Sequence, residues 1–148
     1  MNPARFFFLI LLFPALRLFA QNAYEIQFTV GSVQHQGLLV SGKNDSEWQI
    51  RIRFFDNDQH CQRIIEQKMR AEKTNLGTRL HGYDVWDVQK KQSAADYAAD
   101  NFYLSYDQKG HVYSRNIDAQ GTAVSVRMTP LGDEQKKTKM KEFGWPST

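Results

Sequence analysis

One cysteine, Cys61, stands in a chain of 148 residues, so no intramolecular disulfide can form and stability must come from packing and hydrogen bonds. A lone thiol can pair with another chain or act as a nucleophile. Most lone cysteines are instead small buried hydrophobes, and on a strand His60 would point away from Cys61 to the opposite face; burial is the expectation here. Nucleophile and phosphate motifs are missing as well. The chain contains no Gly-x-Ser-x-Gly elbow, no His-Glu-x-x-His, no complete Gly-x-x-x-x-Gly-Lys-Ser/Thr and no dinucleotide fingerprint, so no catalytic residue and no cofactor is assigned. The histidines at 35, 60, 81 and 111 are separated by 25, 21 and 30 residues, which is not metal-ligand spacing, and no metal site is assigned. Asp56-Asn57-Asp58 opens like a calcium loop but lacks its glycine and closing glutamate, and reads as a turn. Asn44-Asp45-Ser46 fits the glycosylation pattern, yet the same residues favour a turn.

Long apolar runs are scarce too, with one exception. Arg5 precedes Phe6–Leu16, an apolar stretch broken only by Pro14, and Arg17-Leu18-Phe19-Ala20 follows with a small residue at its end. This is the order of a secretory signal peptide, with cleavage expected after Ala20. A membrane anchor is the rival reading, but Pro14 and Arg17 interrupt a run shorter than the ~20 residues that span a bilayer. The signal holds no cysteine to acylate. The expected organisation is a signal peptide over 1–20 and one β domain over 21–148, destined for the periplasm or the medium, with no transmembrane segment after signal removal. Of the 19 basic residues, cleavage removes Arg5 and Arg17, while all 16 acids remain. The net charge falls from +3 to about +1, and no nucleic-acid partner is expected. Lys136, Lys137, Lys139 and Lys141 read as a solvated face.

What is present is β patterning. Tyr24, Ile26, Phe28 and Val30 alternate with Glu25, Gln27 and Thr29, and Gly31-Ser32 offers a two-residue turn into a second strand over 33–40. Trp48, Ile50, Ile52 and Phe54 alternate with Gln49, Arg51 and Arg53 in the clearest strand of the chain. The segment 62–72 also fits a helical stripe. It is read as a strand, because Ile65, Gln67, Met69 and Ala71 can line one face between turn-like flanks. Leu76 to Val88 reads as a strand bent or bulged near Gly77 and Gly82, and 89–100 as a long polar loop with a helical turn near 94–99. Two hairpins follow in which aspartate stands three residues before glycine, at Asp107/Gly110 and Asp118/Gly121. They link strands near 101–107, 111–117 and 123–128. The tail 133–148 reads as a short helix over 133–143, capped by Asp133 and ended by Gly144, or as a disordered tail.

Eight strands in sequential order predict an all-β antiparallel meander. A lipocalin-like up-and-down barrel is favoured over a two-sheet sandwich, since only closure removes both sheet edges. The likeness is architectural. The Gly-x-Trp expected near the start of lipocalins is absent, because Trp48 lies on the third strand and follows Glu47, so no family is assigned.

Aromatics supply the remaining signal. Tyr83, Trp86, Tyr97, Phe102, Tyr103 and Tyr106 gather around the one long loop, and such side chains combine apolar area with a polar handle suited to a binding surface. Tyr83, Trp86, Tyr97, Tyr103 and Tyr106 are therefore the candidate ligand-binding residues; the competing reading sends Phe102, Leu104 and Tyr106 into the core. The functional expectation is a non-catalytic binding or interaction module for a small apolar ligand or an envelope protein. The alternatives are an extracytoplasmic hydrolase with an Asp/Glu/His site assembled by the fold, and a structural or accessory envelope protein.

Overall fold

A computed structural model of the chain describes residues 23–75, 77–106, 112–117 and 121–146, without the side chains of Tyr106, Val112 and Tyr113. The signal peptide expected over 1–20 and the turn residues 107–110 and 118–120 of the two hairpins lie outside the described residues. The strands are β1 (Ala23–Val30), β2 (Val33–Ser41), β3 (Glu47–Asp56), β4 (Cys61–Thr74), β5 (Gly77–Asp87), β6 (Gln92–Ser93), β7 (Asn101–Tyr106), β8 (Val112–Ile117) and β9 (Ala123–Pro130), followed by one helix, α1 (Asp133–Glu142). Each long strand pairs antiparallel with its sequence neighbours, β9 pairs with β1, and the β4–β5 ladder completes the ring. The result is an eight-stranded closed antiparallel barrel with one extra strand, β6. That strand finds room because β7 pairs with Thr78–His81 of β5 only, leaving Trp86 and Asp87 to pair with Ser93 and Gln92.

The period-two pattern decides which face turns inward. Ile26, Leu39, Ile50, Ile52, Met69, Leu80 and Phe102 are 1% exposed or less and form the interior, with Phe28 and Val126 beside them. The β1–β2 turn closes at Val30↔Val33 with Gly31 at φ +60°, as its sequence requires. The ambiguous segment 62–72 is strand, with Ile65, Gln67 and Met69 fully buried on one face. Tertiary pairing on both sides overrides its helical stripe. The bulge of β5 lies opposite Glu66/Lys68 and not at either glycine; Asp84, at φ +53°, takes the irregular conformation.

The helix packs outside the barrel. Outward-facing Ala23, Leu38 and Val40 make a second apolar cluster with Phe143, which is 1% exposed. Arg51 Nη1 donates to the carbonyls of Phe143 (3.0 Å) and Gly144 (2.6 Å), and ion pairs join Arg53 to Glu142 and Lys139 to Glu25. The helix ends at Gly144 as expected, where the Trp145 N–H bonds back to the Met140 carbonyl. Its start differs from expectation. Gly132 is the cap and Gln135 Oε1 accepts from its N–H at 3.1 Å; Asp133 falls inside the first turn, where its charge suits the helix dipole. Cys61 also departs from expectation, being exposed, because it is the first residue of β4 and sits beside the β3–β4 turn. Among the described residues no helix is long and apolar enough to cross a membrane.

Candidate functional site

The two ends of the barrel are built from different chemistry. At the end reached by the C-terminus of β5, Arg63 points inward with its side chain 4% exposed and carries three acids. Its Nη1 donates to Asp56 and Asp96 (2.9 Å each), its Nη2 to Asp96 (3.0 Å) and its Nε to Asp87 (3.1 Å). The hydrogen bond from Arg63 holds the Asp96 carboxyl below its ordinary value, while Asp56 is lowered first by the Gln59 N–H and then by Arg63. A second network lies deeper. Asp100 accepts from Gln67 Nε2 (2.6 Å), Tyr97 Oη (2.9 Å) and Asn116 Nδ2, and its own N–H donates to Gln67 Oε1 (2.9 Å). Gly82 permits this approach, since a Cβ there would stand 2.6 Å from the Asp100 carbonyl and 2.7 Å from Gln67 Oε1. Together these bonds draw the 88–100 segment across the barrel end, which explains why so polar a stretch is fixed in place.

His35 stacks between Phe28 and Phe54, with centroids 4.8 Å away on each side. Burial lowers its pKa below 6.5, partly offset by its bond to the Val33 carbonyl and by Asp100. The folded state therefore binds fewer protons than the unfolded chain. The stability owed to this histidine is whole above pH 6.5 and is lost as pH falls from there through the lowered folded value. We expect a urea series from pH 8 down to 5 to show wild-type stability falling by up to about 1.4 kcal/mol per pH unit, and His35→Gln to flatten that slope. Equal slopes would contradict the assignment. Asp100 has the opposite sign. Burial raises its pKa against the pull of Gln67, Asn116 and Tyr97, so its contribution is most favourable at low pH and diminishes as pH rises from 3.8 through the raised value.

The opposite end is an open, mostly apolar mouth. A cavity of about 660 Å³ is lined chiefly by Tyr24, Leu39, Trp48, Leu80, Leu104 and Met128. Every one of these projects inward from a different strand, from β1, β2, β3, β5, β7 and β9 respectively. The Tyr24 and Trp48 rings lie 6.1 Å apart, and Trp48 Nε1 donates to the Asp45 carbonyl at 3.1 Å, so the indole is fixed by its polar edge while its faces remain available to the cavity. Asp45, Glu72 and Lys73 form charged parts of the rim. The size and lining match small-molecule sites, in which apolar walls supply most of the binding and few polar groups set orientation.

Of the aromatic residues singled out by sequence, Tyr97 turns inward at the closed end, its ring 5.5 Å from Phe54; burial and Asp100 hold its phenol well above the ordinary value. Tyr83 and Trp86 lie on the outer face of β5, paired across from Lys68 and Glu66, with Trp86 42% exposed. Tyr103 lies on the outer face of β7 between Arg79 and Arg115. The side chain of Tyr106 lies outside the described residues. The structure thus does not bring the described four around a single cavity. Residues lining the mouth were legible as core-facing strand positions, but nothing in the sequence distinguished an unfilled layer of the barrel from a filled one.

One further spacing is resolved by the fold. Gly37-Leu-Leu-Val-Ser-Gly42-Lys43 carries seven positions of a phosphate-binding loop, but Asn44 stands where serine or threonine is required. The segment through Ser41 is strand β2 and leads into β3, not into a helix, so it offers no cradle of helix N-terminal N–H groups. Among the described residues no group of three His, Cys, Asp or Glu side chains is placed to hold a metal. The sequence matches no known protein family and no characterised protein.

Proposed function

We propose that this chain is an exported binding protein that holds a small apolar ligand in the mouth of its barrel. The observation that carries the reading is the 660 Å³ cavity, walled by inward side chains of six strands at the barrel end opposite the Arg63 and Asp100 networks. A rigid closed barrel supports such a site because its walls are ordered before the ligand arrives, which lowers the entropic cost of binding. Export is supported by the Arg5, Phe6–Leu16, Ala20 pattern. Expression of the full chain in a bacterium is expected to yield a mature protein beginning at Gln21.

The test of the cavity uses Trp48 as reporter. Titration with medium-chain lipids is expected to change the emission of wild type and to leave Trp48→Phe silent. Leu104→Trp, which fills the mouth, is expected to weaken binding at least about tenfold with an unchanged far-UV spectrum, because the ligand would have to displace a packed ring. Saturable binding that Leu104→Trp leaves intact would place the ligand elsewhere and refute the proposal.

A further inference from the structure

A second hollow, a notch of about 350 Å³, lies at the edge where β5 meets β7, on the outer side of the rim. Thr78 and Leu104 line both spaces, and the notch adds Asn75, Tyr103 and Arg115. Its chemistry differs from that of the mouth. Arg79, Tyr103 and Arg115 form one row across β5, β7 and β8, and both guanidinium groups lie against the same tyrosine ring, at 5.7 and 6.0 Å from its centroid.

Neither arginine has a carboxylate partner among the described residues. Among the described residues, Arg79 Nη2 meets only His81 Nδ1 and Asn101 Oδ1, at 3.3 and 3.4 Å, and its Nε is buried without a hydrogen-bond partner. Glu72 is the cross-strand neighbour of Arg79 on β4, yet it forms no ion pair with it. A cation–π contact on a tyrosine face leaves the donors of the guanidinium unused, and an exposed arginine without a carboxylate partner can take an anion at that edge. The acids of the mouth, Asp45 and Glu72, come from the β2–β3 loop and β4 with Lys73 beside them, whereas the described lining of the notch carries Arg115 and no acid.

We infer that the ligand is an amphiphile with an anionic head, its apolar tail in the mouth and its head in the notch beside Arg115. This rests on the reading of the mouth as the ligand site. A guanidinium presents a planar pair of donors to a carboxylate or phosphate, and the exposed position of Arg115 leaves that edge accessible. Thr78 and Leu104 form the threshold over which the chain passes from apolar wall to charged notch.

The test compares decanoate, decanol and decyltrimethylammonium at pH 8, each below its micelle concentration, by calorimetry and Trp48 emission. Decanoate is expected to bind about tenfold or more tightly than decanol, and the ammonium analogue most weakly, since a charge-assisted contact is worth a factor of this order. Arg115→Met is expected to erase the preference for decanoate while retaining the affinity for decanol; Arg70→Met, which removes a cation that packs on Tyr83 away from the notch, is expected to change neither. Equal binding of decanoate and decanol, or a preference that survives Arg115→Met, would overturn the headgroup assignment and leave the cavity reading standing. Tightest binding of the ammonium compound would overturn it in favour of the Asp45 side. Absence of binding by all three would overturn the cavity reading itself.

Discussion

Replacing Arg63 with alanine is expected to cost about 3–5 kcal/mol of folding stability, the usual range for removing one partner of a buried ion pair. The cost should be unequally distributed among the three acids that Arg63 serves. Asp96 is 54% exposed and can return to water, whereas the Asp87 side chain is 1% exposed and would remain inside with its charge uncompensated. The Asp87 Oδ1 atom also organises the adjoining turn by accepting from the N–H groups of Gln89 and Lys90 (3.1 and 2.9 Å), so Asp87 cannot swing out without disrupting the start of the 88–100 segment. Urea denaturation of Arg63→Ala, Asp87→Asn and the double variant separates these effects: the double variant should recover part of the loss, and Asp96→Ala alone should cost less than about 1 kcal/mol. If Arg63→Ala proved no worse than an exposed arginine substitution, the barrel end would not be held by this pair.

Phe143→Ala should produce the second largest loss, about 3 kcal/mol or more, as expected for truncating a buried phenylalanine. Helix α1 has no buried residue of its own. Its attachment depends on Phe143, one residue past its last turn, seated over Ala23, Leu38 and Val40, and on polar bonds: the Arg51 donors to two carbonyls and the Arg53–Glu142 pair. Because Phe143 and the helix pack on the outer face and not in the barrel interior, the global cost should be limited to what docking contributes. Hydrogen exchange should therefore show the amides of 136–145 losing protection more than those of β3 and β4. Uniform loss across the barrel would mean that the helix and the barrel unfold as one unit.

The strands were legible because their information is local. Trp48, Ile50, Ile52 and Phe54 alternate with Gln49, Arg51 and Arg53, and an alternation of period two permits only one face to turn inward. The segment 62–72 shows how far this goes: its residues satisfied both a helical stripe and a strand face, and the choice was made by ladders to β3 and β5 that join residues distant in sequence. The cap of α1 illustrates a smaller limit. Asp133 has the side chain for the position, but the backbone turns one residue earlier, and Gln135 reaches back to Gly132 instead.

For the candidate site the division is sharper. Clustering along the chain brought Tyr83, Trp86, Tyr97, Tyr103 and Tyr106 together as neighbours of the 89–100 loop, but strand alternation sends Tyr83 and Tyr103 outward, while Tyr97 turns inward with Asp100. Sequence by itself determined the antiparallel meander, with 62–72 as its one ambiguous strand, and the inward faces of the strands that alternate cleanly, since these depend on periodicity and turn chemistry over a few residues. Only the tertiary structure decided that the sheet closes through β4 and β5, that Arg63 and Asp100 build polar networks at one end, and that the described residues leave a cavity at the other. Those are outcomes of residues tens of positions apart meeting in space, where the volume of six inward side chains and the pairing of one buried arginine depend on register and closure, which no local pattern encodes.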